Sequence, residues 1–259
     1  MPNNLLADRI ASRIVSRLPA VDISGDVTDF KAAYELQDLV VQRLVESFGE
    51  VAGYKIAWNN AAQIAEFAPN APAVGHVFSQ QVYWSGKKFD DNEFKQLVVE
   101  PEIIAVISVD IEGDGHTAES VLPKIAKFYA GFEIMDRRGC TDVTLAHPPS
   151  IVVNNIFNFG LVMGEGVRAT QVDHSTLDTV VKLDGTEILN ATNAAPQNPA
   201  EAVATVANTL SKRGKKLRSG DLVLCGTHMP PFEVQRGSLS VSMGRLGEAS
   251  FSYGSSSSP

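Results

Sequence analysis

The chain has 259 residues, with 22 Lys and Arg against 30 Asp and Glu, a formal net charge of −8 at pH 7, and 44% apolar and 20% charged residues. That length and apolar share predict one or two domains with a packed core and exclude wholesale disorder. The acidic balance, without a Lys/Arg stripe, argues against nucleic-acid or anionic-membrane partners, and the longest apolar run, Ile103–Val109, is far short of the roughly 20 residues of a spanning helix.

In chain order, the first fifty residues read as two helices. Leu6, Ile10, Ile14 and Leu18 recur at helical spacing, and a second stripe runs through Ala33, Leu36, Val40, Leu44 and Phe48. Thr28 or Asp29 would cap the second helix, and Gly49 would end it. Val51–Trp58 and Leu97–Asp110 are rich in Val and Ile, as strands are. Thr117 opens a predicted helix with Val121, Leu122, Ile125, Phe128 and Tyr129 on its apolar side and Gly131 as its stop. Phe132–Asp136 is a short strand, and Val180–Leu183 with Thr186–Leu189 a hairpin turning on Asp184-Gly185. Asn198 caps a helix with Pro199 in its first position, Val203, Val206, Ala207 and Leu210 on its buried side and Gly214 past its end. Leu222–Cys225, Ser238–Met243 and Ala249–Tyr253 read as strands, and 254–259 as a mobile low-complexity tail. The expected class is α+β: a helical segment over 1–50 and a strand-rich body over 51–253.

Carboxylates set among apolar residues carry the chemical signal. Glu100 and Glu102 flank Pro101, and side chains two apart on a strand share a face. Glu133 alternates with apolar neighbours in GFEIMD. Three converging carboxylates repel one another unless a cation neutralises them, and hard oxygen ligands suit Mg²⁺, Mn²⁺ or Ca²⁺. The competing reading places Glu100 and Glu102 on the solvated face of an edge strand, where Pro101 is tolerated. Lys55, amid Tyr, Ile, Ala and Trp, is either desolvated, with a pKa lowered into a useful acid/base range, or snorkels to water. The five histidines, His76, His116, His147, His174 and His228, show no zinc spacing. No GxSxG elbow, P-loop or GxGxxG after a strand occurs. Cys140 and Cys225 are too few for a disulfide scaffold and too far apart for a CxxC motif, and they read as small buried residues. With no uninterrupted signal-peptide core in MPNNLLADRIASR, a soluble cytoplasmic protein is expected.

Taken together, these segments and their order resemble the fumarylacetoacetate hydrolase superfamily, in its branch of 2-keto-4-pentenoate hydratases and 4-oxalocrotonate decarboxylases. GYKIA at 53–57 is similar to that branch's G-Y-K-I-G, VEPEIIAVI at 99–107 to its E-P-E-[IL], and FEIMDRR at 132–138 to its E-I-V-D-[SW]-[RK]. The stretch 198–226 resembles its capped helix and following strand. The resemblance implies a mixed β-roll with the N-terminal helices packed against it. It also implies Mg²⁺ or Mn²⁺ held by Glu100, Glu102 and Glu133, Lys55 as the catalytic proton carrier, and Asn155 and Thr227 as substrate-binding residues.

The implied activity is a metal-dependent lyase reaction on a 2-oxo acid or its 2-hydroxydienoate enol, hydratase-like in first place. Decarboxylation and a non-catalytic partner subunit are the alternatives. C–C bond hydrolysis is weaker, because the match lies with the G-Y-K-I branch, and no His–Glu pair for activating water is evident. A homo-oligomer, with association to a pathway homologue, is implied by the resemblance alone. The chain departs from the branch in the segment around Ala73, in the loop 152–159, and at Thr227, where the branch has the Ser of G-S. Ala73 stands where Q-P-D-[YF]-G has Asp, and Phe157 and Phe159 replace the small residues of I-A-D-N-A-S-S-G. These changes predict a smaller or more apolar distal pocket.

Overall fold

The computed structural model describes residues 2–68, 71–140, 146–172 and 177–254; His174 and residues 255–259 of the expected tail lie outside them. Helices α1 (Pro2–Val15) and α2 (Phe30–Phe48) precede β1 (Val51–Ala57), α3 (Ala61–Phe67), β2 (Ala73–Phe78), β3 (Val82–Trp84), β4 (Lys87–Phe89) and β5 (Leu97–Ile107). Then come α4 (Ala118–Val121), β6 (Ile125–Asp136), α5 (Pro148–Val153), β7 (Asn158–Arg168), β8 (Asp178–Leu183), β9 (Thr186–Thr192) and α6 (Pro199–Ser211). Strands β10 (Leu222–Thr227), β11 (Phe232–Glu233), β12 (Gly237–Met243) and β13 (Glu248–Tyr253) complete the described chain.

Local signals account for the element ends. Asp29 caps α2 by accepting from Ala32 N at 2.8 Å, and Gly49 closes it at φ 79°. Asp184 and Gly185 take φ values of 48° and 79°, as a primed hairpin turn requires. Asn198 accepts from Ala200 N to start α6. Helix α1 stops at Val15, so Leu18 lies beyond it and is exposed, while Ala7, Ile10, Ala11 and Ile14 form the buried stripe.

The segment after Thr117 corrects the expected helix. Thr117 caps only Ala118–Val121, and from Ile125 the chain extends as β6. Its apolar run is buried on both faces, which erases the two-residue alternation that marks a half-buried strand. Pairing with β5, from Leu97 opposite Asp136 to Ile107 opposite Ile125, decides its state.

Two sheets result. The larger has the order β2-β1-β10-β5-β6-β7-β3, with β11 also on β5; the smaller has β4-β13-β12-β8-β9. They face each other across one core, where the rings of Phe132 and Phe251 meet edge to face at 5.4 Å and Val203, Val206 and Leu210 of α6 join. This is the expected α+β roll. Helices α1 and α2 share a second core with Ala73, Phe78, Val98, Met135 and Val152. The buried Gln37 amide donates to Val74 O and Val152 O, at 3.1 and 2.9 Å, and ties α2 to β2 and α5. Among the described residues no helix is long and apolar enough to cross a membrane.

Candidate active site

Strand β5 lies in the middle of the larger sheet, between β10 and β6, so Pro101 is not an edge residue. A bulge in β10 between Leu224 and Thr227 removes the ladder position that Pro101 could not serve, and Pro101 O instead accepts from His228 N at 3.0 Å. The same bulge contains Gly226 at φ 103°, where a side chain would strike Asn59 and Pro196. This conformation turns the Gly226 N–H onto Glu102 Oε2 at 2.8 Å.

Glu100 sits directly opposite Glu133 in the β5–β6 ladder, and Glu102 is two residues along on the same face. One oxygen of each carboxylate lies within 4.8 Å of those of the other two. Like charges this close repel by roughly 3–4 kcal/mol per pair at an effective dielectric of about 20. Opposed like charges are avoided in ordinary ladders, so this register breaks a local rule at one point of an otherwise apolar sheet. Burial, the largest influence, and the Glu133 charge move the Glu100 carboxyl up to about 8, against the Lys55 ammonium, which holds it down. Burial, then Glu133 and Glu100, pushes Glu102 well above the usual carboxylate range.

Lys55 reaches this cluster from β1, which pairs with β2 and β10. Gly75 lies opposite it, and a Cβ there would sit 3.0 Å from Lys55 Cγ, so glycine leaves room for the aliphatic stem. The Lys55 ammonium is 2% exposed and lies 2.7 Å from Glu133 Oε2, at ion-pair distance though without hydrogen-bond alignment. It does not snorkel. Nor is its pKa lowered: burial works downward, but the charges of Glu133, Glu100 and Glu102 outweigh it and raise the value.

The remaining Glu133 oxygen, Oε1, accepts from Asn158 Nδ2 at 2.9 Å. Glu102 Oε1 is buried with no partner. An orphaned anionic oxygen, three mutually repelling hard donors and their spacing fit a divalent cation better than a structural ion pair, which would satisfy its oxygens. Asn158 escaped the sequence reading. Its position is set by a left-handed run in Asn155, Ile156 and Phe157, at φ 54°, 51° and 58°. Such backbone costs about 1–3 kcal/mol per residue and persists only where surroundings impose it. Here the Asn155 amide bridges both backbone groups of His76, at 2.7 and 2.8 Å, and the Arg138 guanidinium covers the Phe157 ring. Asn158→Ala should therefore lower Mn²⁺ affinity by about 10–100-fold, as loss of an orienting outer partner does, measured by titration calorimetry.

Above the carboxylates opens a pocket of about 160 Å³, walled by Trp58, Met135, Ile151, Ile156, Phe157 and Arg137 among others. That is close to the roughly 150 Å³ that accommodates benzene in a buried apolar cavity, so it suits a small molecule. Lys55, Glu100, Glu102 and Thr227 also reach this pocket. The Thr227 hydroxyl donates to Met229 O at 2.5 Å. Asn155 stands outside the pocket wall, with its amide engaged by His76. Phe157 faces the pocket, as its bulk implied, but Phe159 turns away and packs on Phe94 at 4.6 Å. Ala73 is fully buried beneath the helices.

No family model matches the sequence. The chain is 26% identical over 252 residues to a 4-oxalocrotonate decarboxylase of a Pseudomonas species, covering 93% of this chain and 97% of that one. It is 26% identical over 238 residues to a 2-keto-4-pentenoate hydratase of Burkholderia vietnamiensis, covering 91% and 88%. The structure of 4-oxalocrotonate decarboxylase from Pseudomonas putida G7, complexed with calcium and acetate, superposes with a TM-score of 0.87 at 23% identity, over 97% of this chain and 96% of that one. The chain has the fold of the fumarylacetoacetate hydrolase superfamily. A fumarylpyruvate hydrolase of that superfamily from Pseudomonas aeruginosa, in complex with Mn²⁺ and pyruvate, superposes less fully, with a TM-score of 0.57 at 21% identity over 77% and 88% of the two chains. The likeness in fold to the decarboxylase structure thus runs through nearly the whole chain, the roll and the N-terminal helices included, and that to the hydrolase structure through less of it.

Proposed function

We propose that the protein is a divalent-metal-dependent lyase acting on a 2-oxo acid or its 2-hydroxydienoate enol, hydratase-like. The observation that carries this reading is the meeting of Glu100, Glu102, Glu133 and the Lys55 ammonium, three of which, Lys55, Glu100 and Glu102, reach one small pocket. Mg²⁺ or Mn²⁺ suits the three carboxylates, which would hold it. When bound, such an ion draws electron density from a 2-oxo group and stabilises negative charge developing there.

The chain's own residues supply the rest. Lys55, kept charged by its carboxylate neighbours, holds a proton beside the reacting carbons and delivers it during ketonisation. Ile156, Phe157 and Trp58 present apolar surface that limits water around the reacting atoms. Asn158 and Gly226 N–H keep two carboxylates oriented.

Decarboxylation is the second reading, and the near full-length match to a decarboxylase, with the 0.87 superposition, favours it. Proton exchange at C3 of 2-oxopentanoate, followed by NMR in D₂O, tests the shared enolisation step. Exchange above the free-metal background in the presence of Mn²⁺ is expected, and its absence would overturn both readings in favour of a non-catalytic partner subunit.

A further inference from the structure

Strand alternation puts Glu133 and Met135 on one face of β6, and Arg137, one residue past its end, lines the pocket with Met135, in a row leading outward from the carboxylates. Each step is about 6.6 Å, so the row spans a molecule of roughly four to six carbons lying along it. Arg137 ends the row at the pocket wall, half-buried. Among the described residues its guanidinium has no hydrogen-bond or ion-pair partner. Its neighbour Arg138 is fully engaged, by Leu18 O, Asn154 Oδ1 and the Phe157 ring. Of the lining, Met135, Ile151, Ile156 and Phe157 are apolar, Asn59, Gln63 and Thr227 are uncharged, and the other cation, Lys55, already lies on Glu133. The motif that the segment resembles has Ser or Trp at this position.

We propose that Arg137 is a specificity-determining residue that takes the distal carboxylate of a dicarboxylic 2-oxo acid, whose 2-oxo end lies over Glu100, Glu102 and Glu133. The inference rests on the function proposed above and narrows its substrate class. A guanidinium pairs a carboxylate through two parallel hydrogen bonds, more strongly in a partly desolvated wall than in water. It also bears on the chemistry. A carboxylate that departs as neutral CO₂ loses its ion pair in the transition state, so the pairing stabilises only the ground state. Arg137 therefore favours a reaction in which the distal carboxylate survives, which is hydration rather than decarboxylation.

The competing role for Arg137 is a countercharge for Glu100, whose carboxyl it helps to hold down. Calorimetric titration of the Mn²⁺-loaded full chain separates the two. The probes are 2-oxoglutarate against 2-oxopentanoate, and 2-oxoadipate against 2-oxohexanoate, each pair sharing a carbon skeleton and differing in a terminal carboxylate or methyl. The wild type is expected to bind at least one diacid about tenfold or more tightly than its methyl counterpart. Arg137→Met should abolish that preference, leaving the monoacids and Mn²⁺ within about twofold of wild type, a span small against the expected loss. Arg137→Lys, which keeps the charge without the planar fork, should retain part of it. Equal affinity for both members of each pair in the wild type overturns the proposal alone. So does a parallel loss for both acids in Arg137→Met, which identifies the countercharge. Failure of every acid to bind the loaded wild type overturns the functional reading and this inference with it.

Discussion

Replacing Lys55 by Met is expected to slow Mn²⁺-dependent proton exchange at C3 of pyruvate or 2-oxopentanoate by about 10²–10⁴-fold, the range a positioned acid/base contributes. Met keeps the aliphatic bulk that Gly75 makes room for and removes only the charge and its proton. The variant leaves the Glu133 carboxylate without its ammonium, 2.7 Å away in the wild type. Loss of that positive charge relieves competition for a cation, so Mn²⁺ affinity should hold or rise while exchange collapses. That opposite movement distinguishes a proton carrier from a structural ion pair, whose removal would disturb folding and metal affinity together. Equal exchange rates in wild type and variant would reduce Lys55 to scaffolding. The assay needs enolisation only, so the distal group of the natural substrate does not enter it.

Glu102→Gln should lower Mn²⁺ affinity by more than the 10–100-fold typical of outer-shell changes, because it removes one of the three charges that make the site. The amide still offers an acceptor to the Gly226 N–H, so the bulge in β10 is not left unsatisfied. The metal-free variant should therefore be as stable as wild type or more so, since a buried, repelled charge is replaced by a neutral group of the same shape. The pH dependence has a definite sign. Glu100 titrates near about 8 in the folded chain and Glu102 is raised too, both above the ordinary carboxylate value of 4.5. Raised folded-state values give stability that is fully present below the unfolded value and lost as pH rises through the folded one. The metal-free melting temperature should fall from about pH 5 to about pH 8, less steeply in Glu102→Gln. Mn²⁺ competes with the same protons, so its affinity should climb over that window by up to tenfold per pH unit for each proton displaced. Calorimetry and thermal melts with and without Mn²⁺ check both. Equal Mn²⁺ affinity in the two proteins would remove Glu102 from the site.

Chemistry that depends on neighbours in the chain was legible before any coordinates. Asp29, Gly49, Asp184-Gly185 and Asn198 end their elements where expected, because capping and primed turns involve backbone groups only a few residues away. The shared face of Glu100 and Glu102 follows from the two-residue period of a strand, whatever that strand pairs with. The tertiary structure decided what depends on distant segments. Apolar periodicity could not tell that Ile125–Gly131 continues a strand, since a run buried on both faces has the same hydrophobic content as a buried helix. Pro101 is central rather than at an edge because a bulge more than a hundred residues later spares it a ladder bond. The sequence set Glu133 among apolar neighbours, but its meeting with Glu100 is a matter of register. Asn158 and Phe157 owe their positions to a left-handed run without glycine, imposed by the His76 backbone and the Arg138 guanidinium from elsewhere in the fold. Residue types and local periods determined which groups this protein could bring to a site. Strand register and imposed backbone strain, both long-range properties, decided which of them meet.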